Sequence, residues 1–466
     1  MRTHDIIVIG AGAGGLNIAG FMNKVGFRTL LIEREEGRIG GDCLNFGCVP
    51  SKALIHLAKL VHGARQAKEF GVGMTGEVSM AKVRSYIRSR IETIREHENA
   101  DYFRGQGMDV IIGEARFTGK DSVCVGSEEY TAKNIVIATG SRPRRLDIEG
   151  SGNVHMVTNE EIFSLDKLPK ELLVVGGGPI GIELGQAFQR LGSHVTVVQR
   201  GDRFLAKERK DISDILLERL KKEGMRFMFD AEPRRFEGRD TAIISAGGAG
   251  QKVRFDTVLT SIGRELDFSS LQVEMAGIEV EEGKIKVDRH LRTTNPHVYL
   301  CGDVAGSYQF THATELHASV IITNLISPVR KSLDYDTFSW VTFTDPEIAT
   351  FGLSEDEIGK RGIPYETLTY DFNDDDRSIV DDFRDGRMVL FLSRGKILGG
   401  SMIGENAGEL CQELLLAMSS GLDVKHLFRK TYPYPTASRV NKRIISDHIS
   451  QKLGTRTKKI LRWLYG

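Results

Sequence analysis

Cysteine is scarce in this chain: 466 residues hold five, an odd number. A secreted disulfide framework needs a dense, even set, so that class is excluded, and a close pair of cysteines in a reducing compartment is more often catalytic than structural. Long apolar stretches are missing too. There is no run of eighteen apolar residues, so no membrane-spanning helix is expected. A strand begins by Asp5, which leaves no room for a signal peptide and predicts a cytoplasmic protein. Neither sign of charge is in excess. Lys plus Arg and Asp plus Glu each number 63, and that balance gives no reason to expect nucleic acid or an acidic substrate. The chain is nevertheless too long for one core and predicts two to four domains.

Glycine is abundant, at 51 residues, as several Gly-rich nucleotide loops would require. The apolar strand Asp5–Ile9 runs into a loop containing Gly10, Gly12, Gly14 and Gly15, then a helical stretch from Leu16 to Val25. A second strand, Thr29–Ile32, ends in Glu33. Gly10, Gly12 and Gly15 form GxGxxG in its required strand–turn–helix setting. The glycines let backbone approach a pyrophosphate at the helix N-terminus, and Glu33 is placed for a ribose hydroxyl. The design recurs at an offset of 166 residues: strand Leu172–Val175, Gly176, Gly178 and Gly181, a helix from Ile182, and strand Val195–Val198. Two such folds imply two dinucleotides, one held and one exchanged, as in a flavin reductase. At the same offset Gln199 stands where Glu33 stands, and Arg200, Arg203 and Lys207 follow. A 2′-phosphate suits that cluster, so NADPH is favoured over NADH. The opposing view is a solvated basic turn, diluted by Asp202 and Glu208.

Gly40–Lys52 reads Gly-Gly-Asp-Cys-Leu-Asn-Phe-Gly-Cys-Val-Pro-Ser-Lys, with four residues between Cys43 and Cys48. Gly47 and Pro50 mark a turn, and Ala53 to Phe70 reads as a helix. Free amides and the helix dipole there would stabilise a thiolate, and Lys52 adds a positive charge within one turn. Two buried core cysteines are the plainer alternative.

This stretch resembles the redox-active disulfide motif of the flavin-dependent pyridine nucleotide–disulfide oxidoreductases, which include glutathione reductase, dihydrolipoamide dehydrogenase and mercuric ion reductase. That motif runs GGTCxxxGCxPSK, and only Asp42 departs from it, where Thr is common. The resemblance covers nearly the whole chain. It implies an α/β fold with two Rossmann-type dinucleotide-binding domains and a C-terminal α+β dimerisation domain. The expected boundaries are 1–145 and 267–335 for the FAD-binding domain, 146–266 for the NAD(P)H-binding domain and 336–466 for the dimerisation domain. It implies FAD contacts at Gly41 and Lys52, at Ala138-Thr139-Gly140 after an apolar strand Asn134–Thr139, and at Gly302-Asp303 after strand His297–Leu300. His312 opens a helix reaching about Leu325, whose dipole would support an anionic reduced flavin. Gly263 resembles the exit from the nucleotide domain. The resemblance also pairs Glu183 with Lys52 beside the flavin, although on residues alone Glu183 reads as helix surface.

After Pro328 strand-like runs at Trp340–Phe343, Val389–Leu392 and Leu398–Ile403 alternate with helices at Glu355–Arg361 and Gly408–Ser419. Members that act on thiols carry HPTxxE near the C-terminus, with the His shuttling a thiol proton. Here the aligned residues run from Tyr434 to Arg439, so Tyr replaces His and Arg replaces Glu. A phenol near pKa 10 is a poor shuttle at neutral pH. Mercuric ion reductases also place Tyr there, yet their C-terminal vicinal cysteines and frequent N-terminal metal-binding domain are not expected here. The segment Arg439–Gly466 carries eight Lys or Arg and one Asp, with Ile444, Leu453, Ile460 and Leu461 among its apolar positions. It reads as an interface or packing helix, with peripheral membrane contact as the alternative. The whole reads as a homodimeric FAD enzyme taking hydride from NADPH or NADH. Two electrons then pass to a Cys43–Cys48 disulfide, with Cys48 facing the flavin and Cys43 attacking the substrate. The acceptor is a small molecule or metal ion, and no resident metal or nucleic acid is expected. A diaphorase-like reductase of quinones or metal ions, and a redox-sensing flavoprotein, are the alternatives.

Overall fold

The computed structural model describes residues 2–73, 75–247, 249–266, 268–306, 308–452 and 462–464. The chain forms two compact units, 1–203 with 225–333 and 204–224 with 334–466.

The first unit is built on the two parallel sheets that the glycine loops foretell. In one, strands Asp109–Ile112, Thr29–Glu33, Arg2–Ile9 and Glu128–Ile137 lie side by side, and Val298–Leu300 pairs with the last of them. Ile9 stands opposite both Ile32 and Ile137, so three strand ends finish level beside the first glycine loop. Ile6, Ile7, Val8 and Ile9 are all buried, the continuous apolar run of a strand covered on both faces. Strands Ser122–Val125 and Ala115–Phe117 continue this sheet antiparallel. The second sheet runs Arg226–Met228, His194–Val198, Glu171–Val175, Thr257–Thr260, Met156–Val157, all parallel. An antiparallel sheet of Ala231–Glu237, Thr241–Ala246 and Ala249–Arg254, with no counterpart in the sequence reading, packs Phe236, Ala242 and Ile244 into the same core as Leu173 and Val175.

The second unit is α+β. Strands Ser339–Thr342, Glu347–Gly352, Lys396–Gly404, Arg387–Ser393 and Glu366–Asp371 form one antiparallel sheet. The helix expected over Gly408–Ser419 is two, Ala407–Leu410 and Gln412–Ser419, meeting at buried Cys411. Glu208, read as part of a basic surface turn, is buried. It accepts from Trp340 Nε1 at 2.8 Å and Thr342 Oγ1 at 3.1 Å. The basic helix Arg439–Lys452 buries Val440, Ile444 and Ile445 in its own core, which supports the packing reading. Leu453, Ile460 and Leu461 lie outside the described residues. Among the described residues no helix is long and apolar enough to cross a membrane.

Candidate active site

The helix after the cysteine pair does not wait for Ala53. It runs Cys48–Gln66, and a 3-10 turn, Ala67–Phe70, follows. Pro50 falls in the first turn, where no intrahelical partner is lost, so it opens the helix instead of breaking it. Cys48 is therefore the first helical residue, and Cys43 sits in a short helix of its own, Gly41–Asn45. No disulfide joins them in this structure. The Cys48 thiol is pulled from its ordinary 9.0 down to about 6, first by a hydrogen bond from Cys43, then by Thr311 and Lys52, against burial. The same hydrogen bond and burial push Cys43 up. The pair is thus biased toward a thiolate at Cys48 and a thiol at Cys43. Thr311 Oγ1 lies 3.5 Å from Cys48 Sγ, at the first residue of helix Thr311–Ile326. Its neighbour His312, the residue expected from the family resemblance, is exposed and stacks on Phe310.

Lys52 Nζ donates to Glu183 Oε2 at 2.9 Å. Glu183 is only 7% exposed, which corrects its reading as helix surface. It is the fifth residue of helix Pro179–Leu191. At the far end of both helices Arg65 donates to the carbonyls of Arg190 and Leu191, at 2.8 and 3.3 Å.

The two glycine loops are built alike. A Cβ on Gly15 would meet Gly10 O at 1.8 Å, and one on Gly181 would meet Gly176 O at 2.4 Å. Gly10 lies against Ala138 O and Gly176 against Ser261 O, so each loop is wedged on a neighbouring strand end. Gly12 and Gly178 precede helices Ala13–Lys24 and Pro179–Leu191 with no side-chain cap, leaving the amides of the first turn, except at Pro179, which has none, for a ligand. Glu33 Oε2 accepts from Ala11 N at 2.8 Å, and Gln199 Oε1 accepts from Gly177 N at 2.9 Å. Gln199 therefore does occupy the position of Glu33, and Arg200 beside it is exposed.

The remaining candidates gather around the first loop. Gly41 packs on Gly12, and a Cβ on Gly14 would meet Cys301 Sγ at 2.6 Å. The strand before Ala138-Thr139-Gly140 ends at Ile137, so all three lie in the turn. Gly302 donates its N–H to Nδ1 of the fully buried His317 at 3.1 Å, and burial pushes that imidazole down to about 4. Gly263 O accepts from Arg144 N at 3.0 Å. Asp303 accepts from Ser141 Oγ, and Arg264, next to Gly263 at the expected exit from the nucleotide domain, lies between Asp303 and Asp42. Tyr434 belongs to the second unit. There it is 68% exposed, with the Arg439 guanidinium 5.2 Å over its ring.

Two dinucleotide folds sharing a unit with an asymmetrically ionised dithiol define an oxidoreductase that works on two dinucleotides and a cysteine pair. The chain belongs to the pyridine nucleotide-disulphide oxidoreductase family, whose model matches residues 4–318, with that family's dimerisation domain over residues 338–443. It is 30% identical to a mercuric reductase of Staphylococcus aureus over 93% of this chain and 80% of that protein. It is 32% identical to a dihydrolipoyl dehydrogenase of Vibrio cholerae over 93% of each. A solved structure of the HOCl-induced flavoprotein disulfide reductase RclA from Escherichia coli has a TM-score of 0.84. It is 25% identical, with 95% of this chain and 99% of that one covered. The chain is an NAD(P)H-dependent FAD oxidoreductase of this family.

The first fold fits FAD on its own geometry. Its glycines leave backbone bare where a Cβ would fill the cradle, and Thr139 Oγ1 is buried with no hydrogen-bond partner beside it. A buried hydroxyl left unpaired is costly and calls for a ligand.

Proposed function

We propose that this chain is a homodimeric reductase of the mercuric-reductase type, which delivers electrons through Cys43 and Cys48 to a thiophilic metal ion and not to lipoamide or glutathione disulfide. The observation that carries this reading is Tyr434 with Arg439 where the thiol-handling members have a His–Glu pair. A relative named mercuric reductase and a Cu(II) complex of RclA among similar solved structures support it. The same proposal assigns 1–145 and 267–335 to FAD binding, 146–266 to NAD(P)H binding and 336–466 to dimerisation.

FAD, when bound, supplies the two-electron chemistry between nicotinamide and the cysteine pair. Gly10, Gly12, Gly14, Gly15 and Gly41 would make room for its pyrophosphate, Glu33 would serve a ribose hydroxyl, and Ala138, Thr139, Gly140, Gly302, Asp303 and His312 would hold the rest of the molecule. Gly176, Gly178, Gly181 and Gly263 frame the second nucleotide. Gln199 spends its carbonyl on Gly177 N, so its amide hydrogens are the groups left for the ribose side, and no acid stands at that position to repel a 2′-phosphate. That favours NADPH. Glu183 holds Lys52 as a fixed positive charge. Reduction of the disulfide takes two electrons and one proton and yields the state described above, thiol at Cys43 and thiolate at Cys48. A soft metal ion binds such sulfur without needing a proton shuttle.

The test is a screen of purified protein with NADPH and NADH against Hg(II), Cu(II), quinones, lipoamide and glutathione disulfide. Metal-ion reduction abolished by Cys43→Ser and Cys48→Ser is expected. Efficient turnover of either disulfide overturns the reading, and metal reduction that survives both cysteine changes moves the chemistry away from the pair.

A further inference from the structure

We infer that Arg264 is a positioning residue that ties the dithiol loop to the carboxylate Asp303, with Asp42 as its anchor on the loop. The inference rests on the proposed reading of Asp303 as a cofactor-side group.

The Arg264 side chain is 10% exposed. A guanidinium does not deprotonate in proteins, so its burial must be compensated by acceptors and counter-charges. Four contacts supply them. Its Nε donates to Ser141 Oγ at 2.7 Å, and a terminal nitrogen donates to Ser141 O at 2.9 Å. The other terminal nitrogen lies 3.4 Å from Asp42 Oδ2, and Nε lies 3.6 Å from Asp303 Oδ2. Ser141 Oγ in turn donates to Asp303. Asp42, Ser141, Arg264 and Asp303 come from four separate segments, and one side chain holds them together.

At its loop end Asp42 is held once more, by Asn159. Asn159 Nδ2 donates to Asp42 Oδ1 at 3.4 Å and to Phe46 O at 3.2 Å, clasping the turn between the cysteines. A Cβ on Gly47 would stand 3.2 Å from Asp42 Oδ2, so the carboxylate lies against the backbone just before Cys48. Moving that carboxylate moves the segment that carries both sulfurs.

Asp42 is also the one position at which this chain leaves the family's motif. With Thr there, Arg264 would face Asp303 alone. With Asp, two carboxylates share one guanidinium, and the loop is tied to the cofactor-side turn by charge as well as by packing. Burial pushes the Asp42 carboxyl up, and Arg264 opposes that.

The experiment is a double-mutant cycle on the FAD-loaded protein. Asp42→Asn, Arg264→Met and the double variant are compared for FAD dissociation, followed by flavin fluorescence, and for the pH midpoint of Cys48 alkylation. Each single change should weaken FAD about tenfold, since a charge-assisted contact is lost. The double should be no weaker than Arg264→Met, because one linkage is cut once. Arg264→Lys should restore part of the affinity and, if the Met variant does not fold, completes the cycle in its place. Wild-type FAD affinity in Asp42→Asn, or a double-variant loss equal to the product of the singles, overturns the inference. An Asp303→Asn variant with unchanged FAD affinity refutes instead the reading on which it rests.

Discussion

Cys43, Thr311 and Lys52 together hold the Cys48 thiol below its ordinary 9.0, and the consequence can be measured on the chain alone. With the Cys48 thiol near 6, the thiolate dominates above that pH and the thiol below it. Alkylation of Cys48 should therefore be fast at pH 7 and fall about tenfold per unit well below 6. Cys43→Ala removes the largest stabilising contact and should carry the midpoint up toward 9.0, the ordinary value; Lys52→Met should move it the same way by less. Mass spectrometry of labelled peptides across pH reads both, and an unmoved midpoint in Cys43→Ala contradicts the assignment. Arg200 offers a second test at this scale. If it reads a 2′-phosphate, Arg200→Glu should raise KM for NADPH about tenfold or more, because a charge-assisted contact becomes a repulsion, and should leave NADH little changed. Equal effects on the two nucleotides would mean a solvated arginine.

Elements explain why the sequence was readable in some places and not others. The glycine loops were legible because backbone geometry dictates residue type over a few consecutive positions, and the second copy repeats the first at a constant offset. The redox helix starts five residues before its apolar pattern does, because Pro50, a breaker inside a helix, is tolerated in the first turn. Glu183 looked like surface because the lysine that justifies its burial lies 131 residues away, and no local pattern encodes such a pair. The same holds for Arg264, whose partners come from distant segments. Helix Thr311–Ile326 also hides a titrating group that periodicity could not reveal. His317 accepts the Gly302 N–H, and burial lowers its pKa from 6.5 to about 4. The unfolded chain then takes up this proton first as pH falls, so the stability it contributes is whole above pH 6.5. That contribution is lost between 6.5 and about 4, amounting to roughly 3 kcal/mol. His317→Asn keeps an acceptor at a similar position and does not titrate. Urea midpoints of the two proteins should converge as pH falls from 7 to 4.5, and parallel curves would show that His317 does not carry the loss.

For the whole molecule the decisive question is what the second unit supplies to the chemistry of the first. The dimerisation domain over 338–443 takes in Tyr434 and Arg439, the positions where relatives acting on thiols place a proton-shuttling pair. Tyr434 is exposed, with the Arg439 guanidinium over its ring, and the general acid–base help that a His–Glu pair would give is worth on the order of 10²–10⁴ in rate. Wild-type protein should therefore turn over dihydrolipoamide and glutathione disulfide slowly while reducing metal ions or quinones well. The double change Tyr434→His with Arg439→Glu should raise disulfide turnover by tenfold or more, on the order expected from that range, and give it a new pH dependence near the His pKa, about 6.5. Metal-ion reduction should change little, since no proton is delivered to a leaving thiol. A subunit-mixing experiment tells whether the shuttle works across a dimer. Cys48→Ser chains that carry the double change are mixed with chains having intact cysteines and Tyr434. Disulfide activity above that of either parent means the residues act on the partner's dithiol. Activity no higher than the parents', in dimers shown to have exchanged subunits, confines the pair to its own chain. Rapid wild-type disulfide turnover would require another base, with His312 the first to test by His312→Gln.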